Sequence, residues 1–358
     1  MKLPFQLEVD IDNSKELINY MSINQKKNNE ESKGLSSSSG NRGKILCIGE
    51  ALIDMICTDT GSTLNKGEHF LKKPGGAPTN VAAAIAALGG DVMLAAKVGA
   101  DPFGQQLIDT MKDFGVSTNW MLQDKNCFTT FAFVSLMPDG ERDFVFNRGA
   151  DGQLSENDLQ GINLDDFSII HFGSATAFLP GPLQLAYKTL LQKALDKNIF
   201  ISFDPNYRHL LFKNNTQTFI EQSWHFMQQC HFFKVSDEEA MLITGSSSVH
   251  NAAVILSEKT KAVFAITLGK EGTMLVHEKN MQTVPTIAIT PIDTTGAGDA
   301  FVGALLYQLS NFSLPVIQAL SVADWKKIVV NGNKAGARTC EYMGAMEAFK
   351  HLNNRIFD

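Results

Sequence analysis

Asp293-Thr294-Thr295-Gly296-Ala297-Gly298-Asp299 runs straight into the apolar stretch Ala300-Phe301-Val302-Gly303-Ala304-Leu305-Leu306. An extended segment, Thr283 to Thr290, leads into it, and a helical pattern from Gly298 to Leu309 leads out. A small-residue turn at a helix N-terminus leaves backbone N–H groups unpaired. Those donors and the helix dipole suit an anion, most often a phosphate. Asp299, a carboxylate inside that positive end, is an odd choice for holding phosphate alone. It fits a base that takes a proton from a nucleophile beside the phosphate. The plainer reading is a glycine-rich turn with Asp299 as a first-turn helix acid. Other phosphate loops are excluded: there is no G-x-x-x-x-G-K-[ST], and Gly296-Ala297-Gly298 lacks the third glycine of G-x-G-x-x-G.

Outward from that turn, the chain of 358 residues can bury a large core as one large α/β domain or two smaller ones. It is 44% apolar and 19% charged, as ordinary soluble proteins are. A net charge of −7 and a pI near 5.6 argue against a general nucleic-acid or anionic-membrane binder. No apolar run reaches the roughly 18 residues of a membrane span. Cys47, Cys57, Cys127, Cys230 and Cys340 are scattered and odd in number, which predicts free thiols in a reducing, cytoplasmic setting. The eight histidines form no ligand spacing, and His225 and His231 read as structural.

Residues 1–43 are polar, with Lys26-Lys27-Asn28-Asn29-Glu30-Glu31 and Ser36-Ser37-Ser38-Ser39-Gly40, and read as a flexible extension with at most a short helix at Ser14 to Met21. Neither a signal nor a transit peptide fits them. The folded part, 44–358, opens on the apolar strand Lys44-Ile45-Leu46-Cys47-Ile48-Gly49. Strand-like runs follow at Val92 to Val98, Ile169 to Phe172, Phe200 to Phe203, Phe232 to Val235, Val263 to Thr267 and Thr273 to His277. Helical patterns alternate with them at Thr79 to Leu88, Pro102 to Phe114, Pro182 to Asp196, Glu238 to Thr244 and Gly298 to Leu309. That alternation predicts a mostly parallel sheet with helices on both faces. Two excursions, the hairpin-like 58–73 and the strands of 128–147 around Pro138-Asp139-Gly140, predict a small β-sheet lid over the carboxyl ends of the main strands.

A second constellation, Pro74-Gly75-Gly76-Ala77-Pro78-Thr79-Asn80, precedes the helix Val81 to Leu88. Paired glycines admit close approach of a ligand, and Asn80 offers both a donor and an acceptor to sugar hydroxyls. A loop with close helix packing through alanine reads equally well from these residues alone. Taken together, the Gly75-Gly76 to Asn80 to Gly89 to Gly99 spacing and Asp293 to Leu306 resemble the two signatures of the ribokinase-like (PfkB-type) carbohydrate kinases. The resemblance covers Lys44 to about Phe349. Ile48-Gly49-Glu50-Ala51-Leu52-Ile53-Asp54, Asp139-Gly140-Glu141-Arg142-Asp143-Phe144, Asp204-Pro205-Asn206-Tyr207-Arg208 and Lys234-Val235-Ser236-Asp237-Glu238-Glu239 are similar to the fructokinase branch. Kinases for 2-keto-3-deoxygluconate share many of these segments.

The resemblance implies a ribokinase-like fold and a division of labour. Asp299 would be the base for the sugar's terminal hydroxyl, with the N–H groups of Gly296, Ala297 and Gly298 holding the γ-phosphate of ATP. Asp54, Gly75, Gly76 and Asn80 would bind the sugar; from its own sequence Asp54 also reads as a strand-end acid. Arg142, Arg148 and Arg208 are further substrate contacts by resemblance, Arg142 and Arg148 being equally readable as edge-strand charges. Thr267, Gly269, Gly272 and Asn333 would border the nucleotide, and Asp204-Pro205-Asn206 would order the phosphate site. Glu239 would hold Mg²⁺ through water, although the family's Asn is Ser236 here, and Asp293 and Thr295 would serve a monovalent cation such as K⁺. Phe131, Phe133, Phe144 and Phe146 on the lid predict a homodimer through that sheet. The leading expectation is an ATP-dependent fructokinase making fructose 6-phosphate. The alternatives are a kinase for 2-keto-3-deoxygluconate or another small sugar, and a catalytically silent regulatory relative.

Overall fold

The computed structural model describes residues 43–357, apart from Thr60 and 137–141; the side chains of Leu136 and Arg142 are also left undescribed. The polar extension, its Ser14 to Met21 helix and the Pro138-Asp139-Gly140 turn therefore lie outside the described residues. Thirteen strands are described: β1 (Lys44–Ile48), β2 (Leu52–Cys57), β3 (Phe70–Gly75), β4 (Val92–Gly99), β5 (Ser117–Asp124), β6 (Thr130–Leu136), β7 (Arg142–Asn147), β8 (Phe167–Phe172), β9 (Phe200–Phe203), β10 (Phe232–Ser236), β11 (Val263–Thr267), β12 (Thr273–His277) and β13 (Asn280–Val284). Nine of them form one sheet in the order β13-β12-β11-β10-β9-β8-β1-β4-β5, parallel from β5 to β11 and antiparallel at β11–β12 and β12–β13. A parallel strand covered on both faces must be apolar along its length, and Ile45 to Ile48 and Phe200 to Phe203 are buried throughout.

Helices α1 (Ala77–Ala87), α2 (Pro102–Phe114), α3 (Pro182–Asp196), α4 (His209–Phe212), α5 (Thr216–Met227), α6 (Asp237–Thr244), α7 (Val249–Lys259), α8 (Ala297–Leu309), α9 (Leu314–Gln318), α10 (Val322–Thr339) and α11 (Ala345–Phe349) flank the sheet. Two apolar cores follow. One gathers α1, α2, α8 and α10 around Cys47, Phe232 and Leu275, and the other gathers α3, α5, α6 and α7 around Leu46, Phe233 and Val276. Alternate residues of each strand thus serve opposite layers. Caps fix the helix starts: Asp101 accepts from Phe103 N and Gly104 N at 2.9 Å each, with Pro102 opening the first turn of α2.

The lid is a second sheet in the order β3-β2-β6-β7, with β2 and β6 parallel and both outer pairs antiparallel. It differs from the expectation in one way that matters. The excursion begins at Leu52, so Asp54 lies inside a lid strand and not in a turn just past β1. The residues 58–69 connect β2 to β3. On one lid face Phe131 packs edge-on against Phe103 of α2 (4.9 Å) and stacks on Phe133 (5.8 Å), so those two rings are covered from within the chain. Among the described residues, the exposed large apolar side chains of the lid and its crossings are Ile56, Leu71, Phe128 and Val145. The edge strand β5 and the helices α5, α7 and α10 were not picked out from the sequence. Strand β5 is largely polar and half-exposed, so it carries no apolar run. Of the segment Thr283 to Thr290, only Thr283 and Val284 are strand.

Candidate active site

The carboxyl ends of β1, β8, β9, β10 and β11 and the N-terminus of α8 converge beneath the lid, where open α/β sheets place their ligands. Gly296, in the left-handed region at φ 82°, caps α8. A Cβ there would meet Ala345 Cβ at 2.5 Å, so the turn needs glycine twice over. Ala297 N–H closes the turn on Thr294 O at 3.2 Å. No protein acceptor meets the N–H of Gly296 or Gly298 among the described residues, which leaves those two as free donors. Of the three amides expected to hold a phosphate, those of Gly296 and Gly298 are unpaired among the described residues, and that of Ala297 is engaged in holding the turn.

Asp299 stands half-buried in the first turn of α8 and accepts from Asn80 Nδ2 at 2.8 Å. Burial pushes its carboxyl up to about 6; the Asn80 bond and the charges of Lys234 and Arg208 pull it down, while Asp204 pushes it up. Asn80 Oδ1 is buried and has no partner. A buried acceptor without a donor is costly, and a sugar hydroxyl would satisfy it.

Lys234, in the middle of β10, was quoted in the sequence but given no role there. Its Nζ is 3.2 Å from Asp204 Oδ2 and 3.2 Å from where a Cβ on Gly298 would stand. A buried ammonium thus backs the free glycine amides. Burial alone would lower its pKa, but Asp204, Glu239 and Asp299 raise it, so it stays charged. A lysine inside an apolar strand pattern was the available signal, since a buried lysine needs a partner. Asp204 follows β9 in a turn whose Asn206 N–H returns to Asp204 Oδ1 at 3.1 Å.

Glu239 forms a reciprocal cap with Ser236. Its Oε2 accepts from Ser236 N at 2.7 Å, and Ser236 Oγ accepts from Glu239 N at 3.1 Å. Its Oε1 accepts from Tyr207 N at 2.7 Å. Each oxygen keeps a lone pair for water. No cluster of three or more His, Cys, Asp or Glu side chains forms a metal cage among the described residues. This donor set fits a Mg²⁺ ion held mainly by phosphates and waters.

On the lid side, Asp54 pairs with Lys73 in the register of β2 and β3. Burial raises its carboxyl to about 6, opposed by the Arg208 charge. Gly75 makes this possible, because a Cβ there would stand 2.1 Å from Asp54 Oδ2. Gly76, at φ 108°, caps α1 and turns the chain from lid to helix. Arg208 is exposed, bonds among the described residues only its neighbour's carbonyl, Tyr207 O at 3.2 Å, and lies near enough for its charge to act on Asp54 and Asp299. Arg142 has its backbone in β7 and its side chain outside the described residues. Arg148 departs from the expected substrate contact. Its guanidinium donates to Pro180 O (2.8 Å) and Thr176 O (3.1 Å) and lies 3.6 Å from Asp151, which commits it to the base of the lid.

On the side expected to border the nucleotide, Thr267 ends β11, Gly269 opens a short turn at φ 57°, and Gly272 sits 2.2 Å, by its would-be Cβ, from Val284 O. Asn333 sits on α10 and bonds β12 and the end of β13. Its Oδ1 accepts from Thr273 Oγ1 at 2.6 Å and its Nδ2 donates to Val284 O at 2.9 Å. The amide is spent on fastening α10 to β12 and β13, so it shapes this wall without offering a free group. Asp293 is likewise engaged. It accepts from Thr295 N (2.9 Å), Thr295 Oγ1 (2.7 Å) and Gly344 N (2.8 Å), stapling the signature loop to the segment before α11.

The sequence profile of the pfkB family carbohydrate kinases matches residues 42–352. Fructokinase-1 of Zea mays is 35% identical over 313 residues, 85% of this chain and 94% of that protein. A probable fructokinase-3 of Arabidopsis thaliana is 34% identical over 319 residues, 88% of this chain and 90% of that one. Among solved structures, a double mutant of fructokinase from Vibrio cholerae O395, holding fructose, ADP and potassium ion, superposes with a TM-score of 0.75 at 27% identity, covering 89% of this chain and 98% of its own. The fructokinase from Xylella fastidiosa with bound ATP gives a TM-score of 0.77 at 27% identity, covering 88% and 97%.

Proposed function

This chain belongs to the pfkB family of carbohydrate kinases, and from that premise we propose that it transfers the γ-phosphate of ATP to the terminal hydroxyl of D-fructose, giving fructose 6-phosphate. The observation that carries the proposal is the Asn80–Asp299 pair beside two free glycine amides. A base, an unfilled hydroxyl acceptor and an anion hole occupy one corner. The fructokinase relatives supply the choice of sugar.

In this reading the sugar lies between Asp54, Asn80 and Asp299. Asp299 accepts the hydroxyl proton as that oxygen forms its bond to the γ-phosphorus and the bond to the β–γ bridging oxygen breaks, releasing ADP. The N–H groups of Gly296 and Gly298, with the Lys234 ammonium behind them, receive the charge on the transferred group. Mg²⁺, when bound, would neutralise phosphate oxygens, with Glu239 reaching it through water. A K⁺ ion near Asp293 and Thr295, a homodimer through the lid and a cytoplasmic location belong to the same proposal. The exposed apolar side chains of the lid and five unpaired cysteines support the last two. No helix among the described residues is long and apolar enough to cross a membrane.

One observation favours a second acceptor. Arg208 is exposed and, among the described residues, meets no carboxylate within bonding distance, so it could meet the carboxylate of 2-keto-3-deoxygluconate. An ADP-release assay with ATP and Mg²⁺ against fructose, 2-keto-3-deoxygluconate, ribose, glucose, mannose and adenosine decides between them. Turnover of fructose above the others supports the proposal. Preference for the sugar acid shifts it to the second reading, and silence on every sugar from ATP-binding protein points to the regulatory alternative.

A further inference from the structure

Four segments carry the chain between body and lid: Gly49 to Ala51 into β2, Gly76 out of β3, 125–129 into β6, and Arg148–Gly149 out of β7. Each of them, or the residue beside it, reaches one buried polar network. Glu50 Oε1 accepts from Ala77 N (3.1 Å) and Ala175 N (3.3 Å), and Oε2 accepts from Ser174 Oγ. The Glu50 carbonyl accepts from Thr79 Oγ1 at 2.9 Å. The hydroxyl of Thr176 donates to Asp151 Oδ2 at 2.8 Å and lies 3.5 Å from Glu50 Oε2. Asp151 Oδ1 in turn accepts from Thr130 Oγ1, whose oxygen accepts from Gly149 N at 2.9 Å. Arg148 closes the ring on the carbonyls of Thr176 and Pro180. Glu50, Asp151, Thr130, Ser174 and Thr176 are all buried. Two carboxylates hidden from water are an expensive way to fasten loops, and neither touches the cleft described above.

We propose that Glu50 is a positioning residue of this kinase: with Asp151, across the Ser174-to-Thr176 loop, it locks the four lid crossings to the body and so sets where Asp54 and Asn80 stand relative to Asp299. The path to each is short. Glu50 is four residues before Asp54 on the strand it launches, and it bonds the first N–H of α1, whose first turn carries Asn80. The nucleotide wall at Thr267, Gly272 and Asn333 has no bond to this network among the described residues. Loosening it should therefore act on the sugar and spare the nucleotide. The kinetic part of this inference rests on the sugar-kinase reading; the mechanical part does not.

The test uses the full chain with three substitutions. Glu50→Met keeps the bulk and removes both acceptors. Glu50→Gln keeps one acceptor for the two backbone N–H groups but sets an amide NH₂ against the Ser174 oxygen, which already accepts from Thr176 N (3.2 Å) and Ala177 N (3.0 Å), so it loses the Ser174 bond alone. Thr176→Val cuts the bridge to Asp151 and serves if Glu50→Met does not fold. Hydrogen exchange without ligand should show the amides of β2, β3, β6 and β7 opening about tenfold more in Glu50→Met and Thr176→Val, with β8 to β11 unchanged and Glu50→Gln between wild type and Glu50→Met. On whichever sugar is turned over, KM for the sugar should rise about tenfold, in proportion to the lost hydrogen bonds, while KM for ATP holds. Lid exchange equal to wild type, or an equal rise in lid and body, overturns the proposal. So does a matching rise in both KM values. If no sugar is turned over, the functional reading fails while the exchange result still decides this one.

Discussion

Asn80 Nδ2 donates to Asp299 Oδ2 across 2.8 Å, joining residues 219 positions apart in the chain. One helical turn further along each helix, Gly303 meets Ala84 so closely that a Cβ on Gly303 would stand 2.8 Å from Ala84 Cβ. The bond between the two functional side chains is thus set by the close crossing of two small-residue helices.

Asp299→Asn should lower kcat by about 10² to 10⁴, the range for loss of a general base, with sugar and ATP affinity kept. Because the folded carboxyl titrates at about 6 and the ionised form is the base, wild-type kcat/KM should fall as pH drops through that value. A pH–rate profile with no acid limb near 6 would count against Asp299 as the base.

Asn80→Ala removes a bond that lowers the Asp299 pKa. The acid limb should move to higher pH, and kcat/KM at neutral pH should fall roughly 10- to 100-fold, the worth of a hydrogen bond to a charged group. An unmoved limb would mean the bond is absent in the working enzyme.

Lys234→Met leaves Asp204, 2% exposed, without its partner. Breaking a buried pair from one side costs about 3–5 kcal/mol, readable by denaturant titration. Adding Asp204→Asn should recover part of that stability without recovering turnover, because the charge behind Gly298 is still missing.

Gly75→Ala drives a methyl into Asp54 Oδ2. KM for the sugar should rise strongly while KM for ATP stays near wild type, since Gly75 lies on the sugar side only. Steady-state kinetics with each substrate varied in turn checks it.

Both Asp54 and Asp299 hold folded pKa values of about 6, above the ordinary carboxylate value of about 4. Between those values the folded protein keeps protons that the unfolded chain releases. Stability from these groups is full at low pH and is lost as pH rises through 6. Asp54→Asn and Asp299→Asn should each raise Tm at pH 8 and give no gain at pH 3.5. Gains of equal size at both pH values would show that burial of charge is not the cause.

The inner strands of the sheet were legible because they are buried on two faces and so read as apolar runs, as in Phe200 to Phe203. Strand β2 was not, because Leu52-Ile53-Asp54-Met55-Ile56-Cys57 has one face to the cleft and follows β1 after three residues, too close to be told apart by pattern. The two signature stretches were legible for a different reason. Glycine and small-residue spacing reports where backbone must come close to something, whatever that something is. Lys234 escaped notice because one lysine in an apolar strand carries no spacing.

The sequence by itself determined the α/β layering, the glycine turn at the head of α8 and the place of Asp299 in the first turn of that helix, since periodicity and local backbone demands are properties of neighbouring residues. Tertiary structure alone decided which groups are free to act. Asn333, Arg148 and Asp293 looked available and are bound to the protein's own backbone, whereas Asn80 Oδ1 and the amides of Gly296 and Gly298 are left open. Whether a polar group is spent or spare depends on partners tens to hundreds of residues away, and only packing brings those within reach.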